Sequence, residues 1–89
     1  MPFVATLMRW PGPGGWVFAA VPDEEAPDVH GAFGRVPVVA TVDGRSWSTS
    51  VWWDKQAGWL LAVPVRIRGA KDDGDDVEVE INLDPSRLR

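Results

Sequence analysis

Two stretches of the chain repeat each other, and this repeat constrains the fold more than any other feature. Residues 15–22 and residues 58–64 both begin Gly-Trp and end at a Pro, with one residue fewer in the second copy. After each copy the chain reaches a Gly, Gly34 or Gly74, that opens an alternating pattern. Each half therefore reads as strand, short helix, strand. Two copies are too few for a solenoid, so we expect each half to bury the other's apolar face about a pseudo-two-fold axis.

Alternation of apolar and polar residues marks the strands. Val, Ile and Leu alternate with Glu and Asn over residues 77–83, and residues 36–42 repeat the pattern. Period two with branched side chains is typical of a half-buried strand. Asp43-Gly44 then predicts a two-residue hairpin turn, because a type I′ turn needs positive φ at both positions. The returning strand places Trp47 on its apolar face and Trp52 among serines on the other.

Helix is scarce in this sequence. The acidic stretch after Pro22 and the stretch after Pro64 each favour one or two helical turns. A nearby Gly or Pro limits the length of both helices. We therefore predict an all-β fold with one or two very short helices: a double-split, pseudo-two-fold β-barrel of about six to seven strands. The chain has 89 residues, which suffices for one domain, 1–89, with halves at about 15–43 and 58–84.

Composition narrows the function classes. The chain contains no Cys, which excludes disulfides and thiolate chemistry and fits a reducing cytoplasm, our predicted location. The first residues do not resemble a signal peptide, and the longest apolar stretch, residues 59–65, is too short to span a bilayer. We expect a soluble protein without a membrane partner. The net charge of −4 disfavours nucleic acid as a partner at long range.

The ordered motifs resemble a family of small bacterial proteins called domain of unknown function 1905. The matching residues run from Phe3, Ala5 and Leu7 through Gly15-Trp16, Pro22, Gly34-Arg35, Val38, Gly44 and Thr49-Ser50 to Leu61, Val63-Pro64-Val65, Gly74-Asp75 and Val77. This resemblance implies a double-split β-barrel, related to the swapped-hairpin DNA-binding domains of the AbrB and MazE type. It also implies that one chain can complete the barrel, so a monomer suffices. It implies no activity.

The polar residues give little sign of catalysis. His30 is the only His and has no partner visible in the sequence, so a packed or solvated side chain is the simpler interpretation. The serines around Trp47 lack an adjacent base or a nucleophile elbow. We predict no catalytic residues, no cofactor and no enzyme activity. Asp72, Asp73, Asp75 and Asp76 form the densest acidic run, which we read as a solvated turn with a weak divalent-cation site as the alternative.

A recognition surface is the interpretation we favour. A small domain needs large side chains to bury enough apolar surface in its core. We assign to this core Trp16, Trp47, Trp59, Val38, Leu61 and Val79. The Trp residues expected at the surface, together with a cluster of cations, form the predicted ligand-binding set: Trp10, Arg45, Trp52, Arg66, Arg68 and Lys71. The alternative for the two Trp side chains is a lid over one end of the barrel.

We predict a non-catalytic binding or interaction module for an unidentified protein or small molecule. Weak nucleic-acid binding of the AbrB type is the alternative. A small enzyme with a carboxylate site is a third.

Overall fold

A computed structural model describes residues 2–12, 14–26 and 34–87 of the chain. It contains seven strands: β1 (Phe3–Thr6), β2 (Met8–Arg9), β3 (Val17–Val21), β4 (Arg35–Val42), β5 (Arg45–Asp54), β6 (Gly58–Ala62) and β7 (Asp76–Leu83). One short helix, α1 (Val65–Arg68), precedes β7, and 3-10 turns cover Asp23–Glu25 and Pro85–Arg87. The predicted all-β fold with very short helices is confirmed.

The strands form one antiparallel sheet that curls into a nearly closed barrel. Their order is β1-β7-β4-β5-β6-β3-β2, so the two outermost strands are consecutive pieces of the N-terminal segment. Leu7 joins them: its N–H donates to the Asp75 carbonyl and its carbonyl accepts from the Gly74 N–H, both at 2.8 Å. The N-terminal segment therefore lies against both ends of the sheet and leaves little open edge.

The two halves of the chain have the same element order, with a strand, a short helical turn and a strand in each. The equivalent strands β3 and β6 pair antiparallel, and so do β4 and β7. A two-fold axis perpendicular to the sheet, between the halves, would produce this pairing. Strand β5 is inserted between the halves and forms a hairpin with β4, in which Asp43 and Gly44 have φ of 48° and 85°. This is the predicted type I′ turn.

Apolar side chains on one face of every long strand fill the barrel. Val38, Leu61 and Val79 are fully buried, Trp59 is nearly so, and Trp47 is partly buried against this core.

The assignment of Trp16 to the core was wrong, because its side chain is 60% exposed. The Gly-Trp match aligns Trp16 with Trp59. In the barrel it is Val17, Ala19 and Val21 that point inward from β3, as Trp59 and Leu61 do from β6. The structural equivalence is thus shifted by one residue from the sequence match. Because side chains alternate between the faces of a strand, this shift moves the Trp out of the core.

Candidate functional site

A second apolar cluster lies on the outer face of the barrel. Phe18 and Leu60 are 4% and 3% exposed, yet neither belongs to the barrel core. They alternate with the inward-facing residues of β3 and β6, so they project from the outside of the sheet. Their burial must therefore come from side chains that cover the sheet from outside.

Trp side chains provide this cover. The rings of Trp10 and Trp52 contact Phe18 edge-on, with centroids 5.5 and 5.6 Å from the Phe18 ring and interplanar angles of 71° and 67°. Trp10 and Trp52 remain 39% and 38% exposed. Each indole is thus partly packed against Phe18 and partly open to solvent.

These side chains surround a cavity of about 230 Å³, which we call the tryptophan groove. Its lining is Trp10, Trp16, Phe18, Trp52, Asp54 and Leu60. Water occupies about 30 Å³ per molecule in the liquid, so the groove has room for a small organic group. A neighbouring, wider depression of about 470 Å³ shares Trp16 and Trp52 and is lined also by Arg35, Thr49, Ser50 and Ala62.

The tryptophan groove and the neighbouring depression carry side chains of opposite charge. The guanidinium carbon of Arg35 lies 5.7 Å from the centroid of the Trp52 ring, a cation–π contact. Asp54 lines the tryptophan groove, and its Oδ2 accepts the backbone N–H groups of Gln56 and Ala57 at 3.0 and 2.9 Å. Arg35 and Asp54 line different depressions, and Trp16 and Trp52 are common to both.

The Gly-rich loop between β2 and β3 sets the position of Trp16. The Trp10 N–H donates to the Trp16 carbonyl at 2.8 Å, which brings the two ends of the loop together. Arg9 Nη1 donates to the Gly15 carbonyl at 3.0 Å, and Arg9 Nη2 contacts Asp72 at 2.6 Å. Gly14 has φ of 101°, and a Cβ there would lie 3.0 Å from the Trp16 indole nitrogen. The loop therefore needs Gly at this position to hold the indole close.

One comparison with known proteins identifies the family. The sequence model of a family described as "Domain of unknown function (DUF1905)" matches residues 3–81. The chain belongs to the DUF1905 family. The match spans every residue that lines the tryptophan groove. No curated protein matches the chain.

The predicted cations of this DUF1905 domain do not join the tryptophan groove. Arg45 lies at the opposite end of β5 from Trp52, about 23 Å away at about 3.3 Å per residue. Arg45 Nη1 donates to the Ile67 carbonyl at 3.2 Å, which places it against α1 with Arg66 and Arg68. The predicted ligand-binding set is therefore two separate surfaces, and only Trp10 and Trp52 belong to the groove.

Most of these cations contact the domain's own backbone or a carboxylate. Arg68 donates to the carbonyls of Val63 and Lys71 at 2.7 and 3.1 Å. Lys71 Nζ lies 2.9 Å from Asp43 Oδ2, and it donates to a β7 carbonyl at 2.7 Å. Arg66 is exposed. These contacts favour a structural role for Arg45, Arg68 and Lys71, which secure the turns at this end of the barrel.

Hydrogen bonds to these turns also lower two pKa values. The Glu78 backbone N–H and the Lys71 ammonium hold the pKa of the Asp43 carboxyl below its ordinary value. The Asp73 backbone N–H and Arg9 do the same for the pKa of Asp72. Both carboxylates therefore stay ionised in mild acid.

The carboxylates of the acidic run accept hydrogen bonds from the domain's own donors. Each of its carboxylates accepts a hydrogen bond from a nearby group: Asp72 from Arg9 and the Asp73 N–H, Asp73 from the Arg9 N–H, Asp75 from the Asp72 N–H and Asp76 from the Thr6 hydroxyl. Among the described residues, no three His, Asp or Glu side chains converge to hold a metal ion. His30 lies outside those residues.

Sequence reasoning did not assign four lining residues of the tryptophan groove to a binding site: Trp16, Phe18, Asp54 and Leu60. One signal was present, since β3 and β6 read Val-Phe-Ala-Ala-Val and Gly-Trp-Leu-Leu-Ala without polar alternation. A strand that is apolar on both faces is covered by other side chains on both faces.

The described residues of the DUF1905 domain include no helix with the length and apolar character needed to cross a membrane.

Proposed function

We propose that this DUF1905 domain is a non-catalytic binding module that holds a small ligand in the tryptophan groove. The observation that carries the proposal is the grouping of Trp10, Trp16 and Trp52 around one cavity on the outer face of the barrel. Protein surfaces rarely gather large aromatic side chains without a partner, and Trp is enriched among residues that dominate binding energies.

The firm position of the groove's floor supports this proposal. Phe18 and Leu60 form a floor that belongs to the hydrogen-bonded strands β3 and β6, so the site rests on the sheet itself. A floor on strands is held more firmly than one on loops, and it loses less entropy when a ligand binds. Trp10 and Trp16 come from the loop between β2 and β3, whose ends are joined by the hydrogen bond from the Trp10 N–H to the Trp16 carbonyl. Among the described residues, Asp54 is the one titratable group in the lining, which also favours binding over acid–base chemistry.

An amide and indole NMR titration with benzyl alcohol, a small neutral aromatic probe, tests the proposal. Each of the six Trp residues supplies one indole N–H signal. We expect the signals of Trp10, Trp16 and Trp52 to shift, while those of Trp47 and Trp59 stay in place. Shifts spread over the surface, or confined to other residues, would contradict the proposed site.

The chain offers a matched pair of variants on one strand. Trp52 and Trp53 are adjacent on β5 and are 38% and 51% exposed, but Trp53 lies outside the groove and packs against Trp59. Trp52→Leu should abolish the benzyl alcohol shifts at Trp10 and Trp16, and Trp53→Leu should preserve them. Equal losses in both variants would show a general effect on folding instead of a binding site.

A second titration with a short DNA duplex addresses the AbrB-type alternative. Nucleic-acid binding would shift the backbone signals of Arg45, Arg66 and Arg68, and the shifts would fade as salt rises, because phosphate contacts release counterions. The contacts of Arg45 and Arg68 with backbone carbonyls support the expectation that these signals stay in place.

A further inference from the structure

We propose that the tryptophan groove is an aromatic cage for a methylated ammonium group, with Asp54 as the carboxylate that neutralises it. This inference rests on the proposed function and names the chemical class of its ligand. Methylated ammonium groups occur in small molecules such as choline and on methylated Lys side chains. Both sources share the cationic head that the groove would hold.

The lining of the groove suits a methylated cation. Three indoles, one Phe and one Leu supply aromatic and apolar contact, and Asp54 is the one charged side chain among the lining residues that the structure describes. An aromatic face attracts a cation within about 6 Å of its centroid, and Trp does so most strongly. A methylated ammonium group is large and poorly hydrated, so it loses little when it leaves water for an apolar cavity. A primary ammonium donates three hydrogen bonds and a metal ion takes several oxygen ligands, whereas among the described lining residues Asp54 alone offers a carboxylate.

The charges around the groove favour a cationic ligand. Asp54 lies on the side of Trp52 that faces the groove, whereas Arg35 lines the neighbouring depression. The Arg35 guanidinium already contacts the Trp52 ring at 5.7 Å, so this indole accepts a cation within the present fold. Only one Asp54 oxygen, Oδ2, accepts the turn N–H groups. The acidic chain, with a net charge of −4, also attracts cations at long range.

The size of the groove limits its ligand to a compact group. The groove measures about 230 Å³, below the range of about 300–1,000 Å³ that is usual for drug-sized ligands. It therefore suits a compact head group of a few heavy atoms whose remaining chain extends into solvent. This requirement fits the head of choline and the end of a methylated Lys side chain equally well.

The test compares choline with its neutral carbon isostere, in which a tert-butyl group replaces trimethylammonium. The two probes have the same shape, so their affinity ratio measures the effect of charge alone. We expect choline to bind at least about tenfold more tightly by NMR titration, with shifts at the indoles of Trp10, Trp16 and Trp52. Equal affinities, or tighter binding of the isostere, would overturn the cage.

Two variants separate a local carboxylate effect from net charge. Asp54→Asn keeps an oxygen that can accept the turn N–H groups, and it should weaken choline binding severalfold while leaving the isostere unchanged. Glu78→Gln removes the same charge from an exposed position on β7, away from the groove, and should change neither probe. Equal weakening of choline in both variants would contradict the role of Asp54.

Two further arms complete the design. Acetylated trimethyl-lysine amide, compared with its unmethylated form, distinguishes a modified side chain from a free small molecule as the source of the head group. If choline and its isostere both leave the spectrum unchanged, the cage is wrong. The benzyl alcohol titration then decides the proposed function separately, because that probe needs the groove but not the carboxylate.

Discussion

Replacement of Phe18 by Ala tests whether the outer cluster stabilises the domain as the structure indicates. Burial of a Phe side chain contributes about 1.5–3 kcal/mol to the free energy of unfolding, and each edge-on aromatic contact adds about 0.5–1.5 kcal/mol. Phe18 is 4% exposed and makes two such contacts. Because Trp10 and Trp52 are more than a third exposed, they can move into the vacated space. We expect a loss of about 3 kcal/mol, at the lower end of the usual range for buried Phe.

Urea unfolding followed by far-ultraviolet circular dichroism measures this loss without relying on Trp fluorescence, which the substitution itself would change. A loss below about 1 kcal/mol would refute the reasoning, because it is the size expected of a surface residue. Val4→Ala is the control, since Val4 is 67% exposed on β1 and should change stability by less than about 0.5 kcal/mol. A double-mutant cycle of Phe18→Ala with Trp52→Ala should give a coupling of about 0.5–1.5 kcal/mol.

Three other substitutions test the turns around the barrel. In Asp43→Asn the ion pair with Lys71 is lost. Because the folded pKa of Asp43 is lowered, its contribution to stability is present above the unfolded value of 3.8 and disappears as pH falls through the folded pKa. Wild type and variant should therefore differ at pH 7 and converge in strong acid when unfolded by urea. Gly14→Ala should weaken benzyl alcohol binding and shift the Trp16 indole signal, because the new Cβ meets that ring. Arg68→Ala should cost about 1–3 kcal/mol in urea unfolding, since it leaves two carbonyls unpaired; an unchanged midpoint would show that its guanidinium is dispensable to the fold.

The fold was predictable from local patterns. Alternation over residues 36–42 and 77–83 gave β4 and β7, and Asp43-Gly44 gave the hairpin to β5. These features depend on side chains within a few residues of one another, which the sequence displays directly. The predicted order of strand, short helix and strand is also the order of elements in each half of the structure.

The position of Trp16 was not predictable in this way. Its match to Trp59 is correct as a sequence pattern, but β3 begins at Val17, after Trp16, whereas Trp59 lies within β6, so the two indoles lie in different environments. Which face a strand residue occupies depends on register, and register is set by pairing partners far away in the chain. A Gly-rich loop adds freedom that no local pattern determines.

The candidate site was predictable only in part. Trp10 was identified because it precedes a Gly/Pro loop, and Trp52 because it lies on the polar face of its strand. Arg45 and Arg68 were grouped with them because the sequence gives no distance between strand ends. The structure places these cations against α1, at the other end of β5 from Trp52. Asp54 lines the groove because Trp10, from the loop after β2, and Leu60, from β6, reach the same cavity, and the sequence does not display that convergence.

Intermolecular nuclear Overhauser effects between choline and the protein would test the central claim most directly, because they report which side chains contact the bound probe. We predict effects from the choline methyl protons to the ring protons of Trp10, Trp16 and Trp52, and none to Trp53. Contacts to Trp53 or to α1 would contradict the account, since they would place ligand binding away from the tryptophan groove.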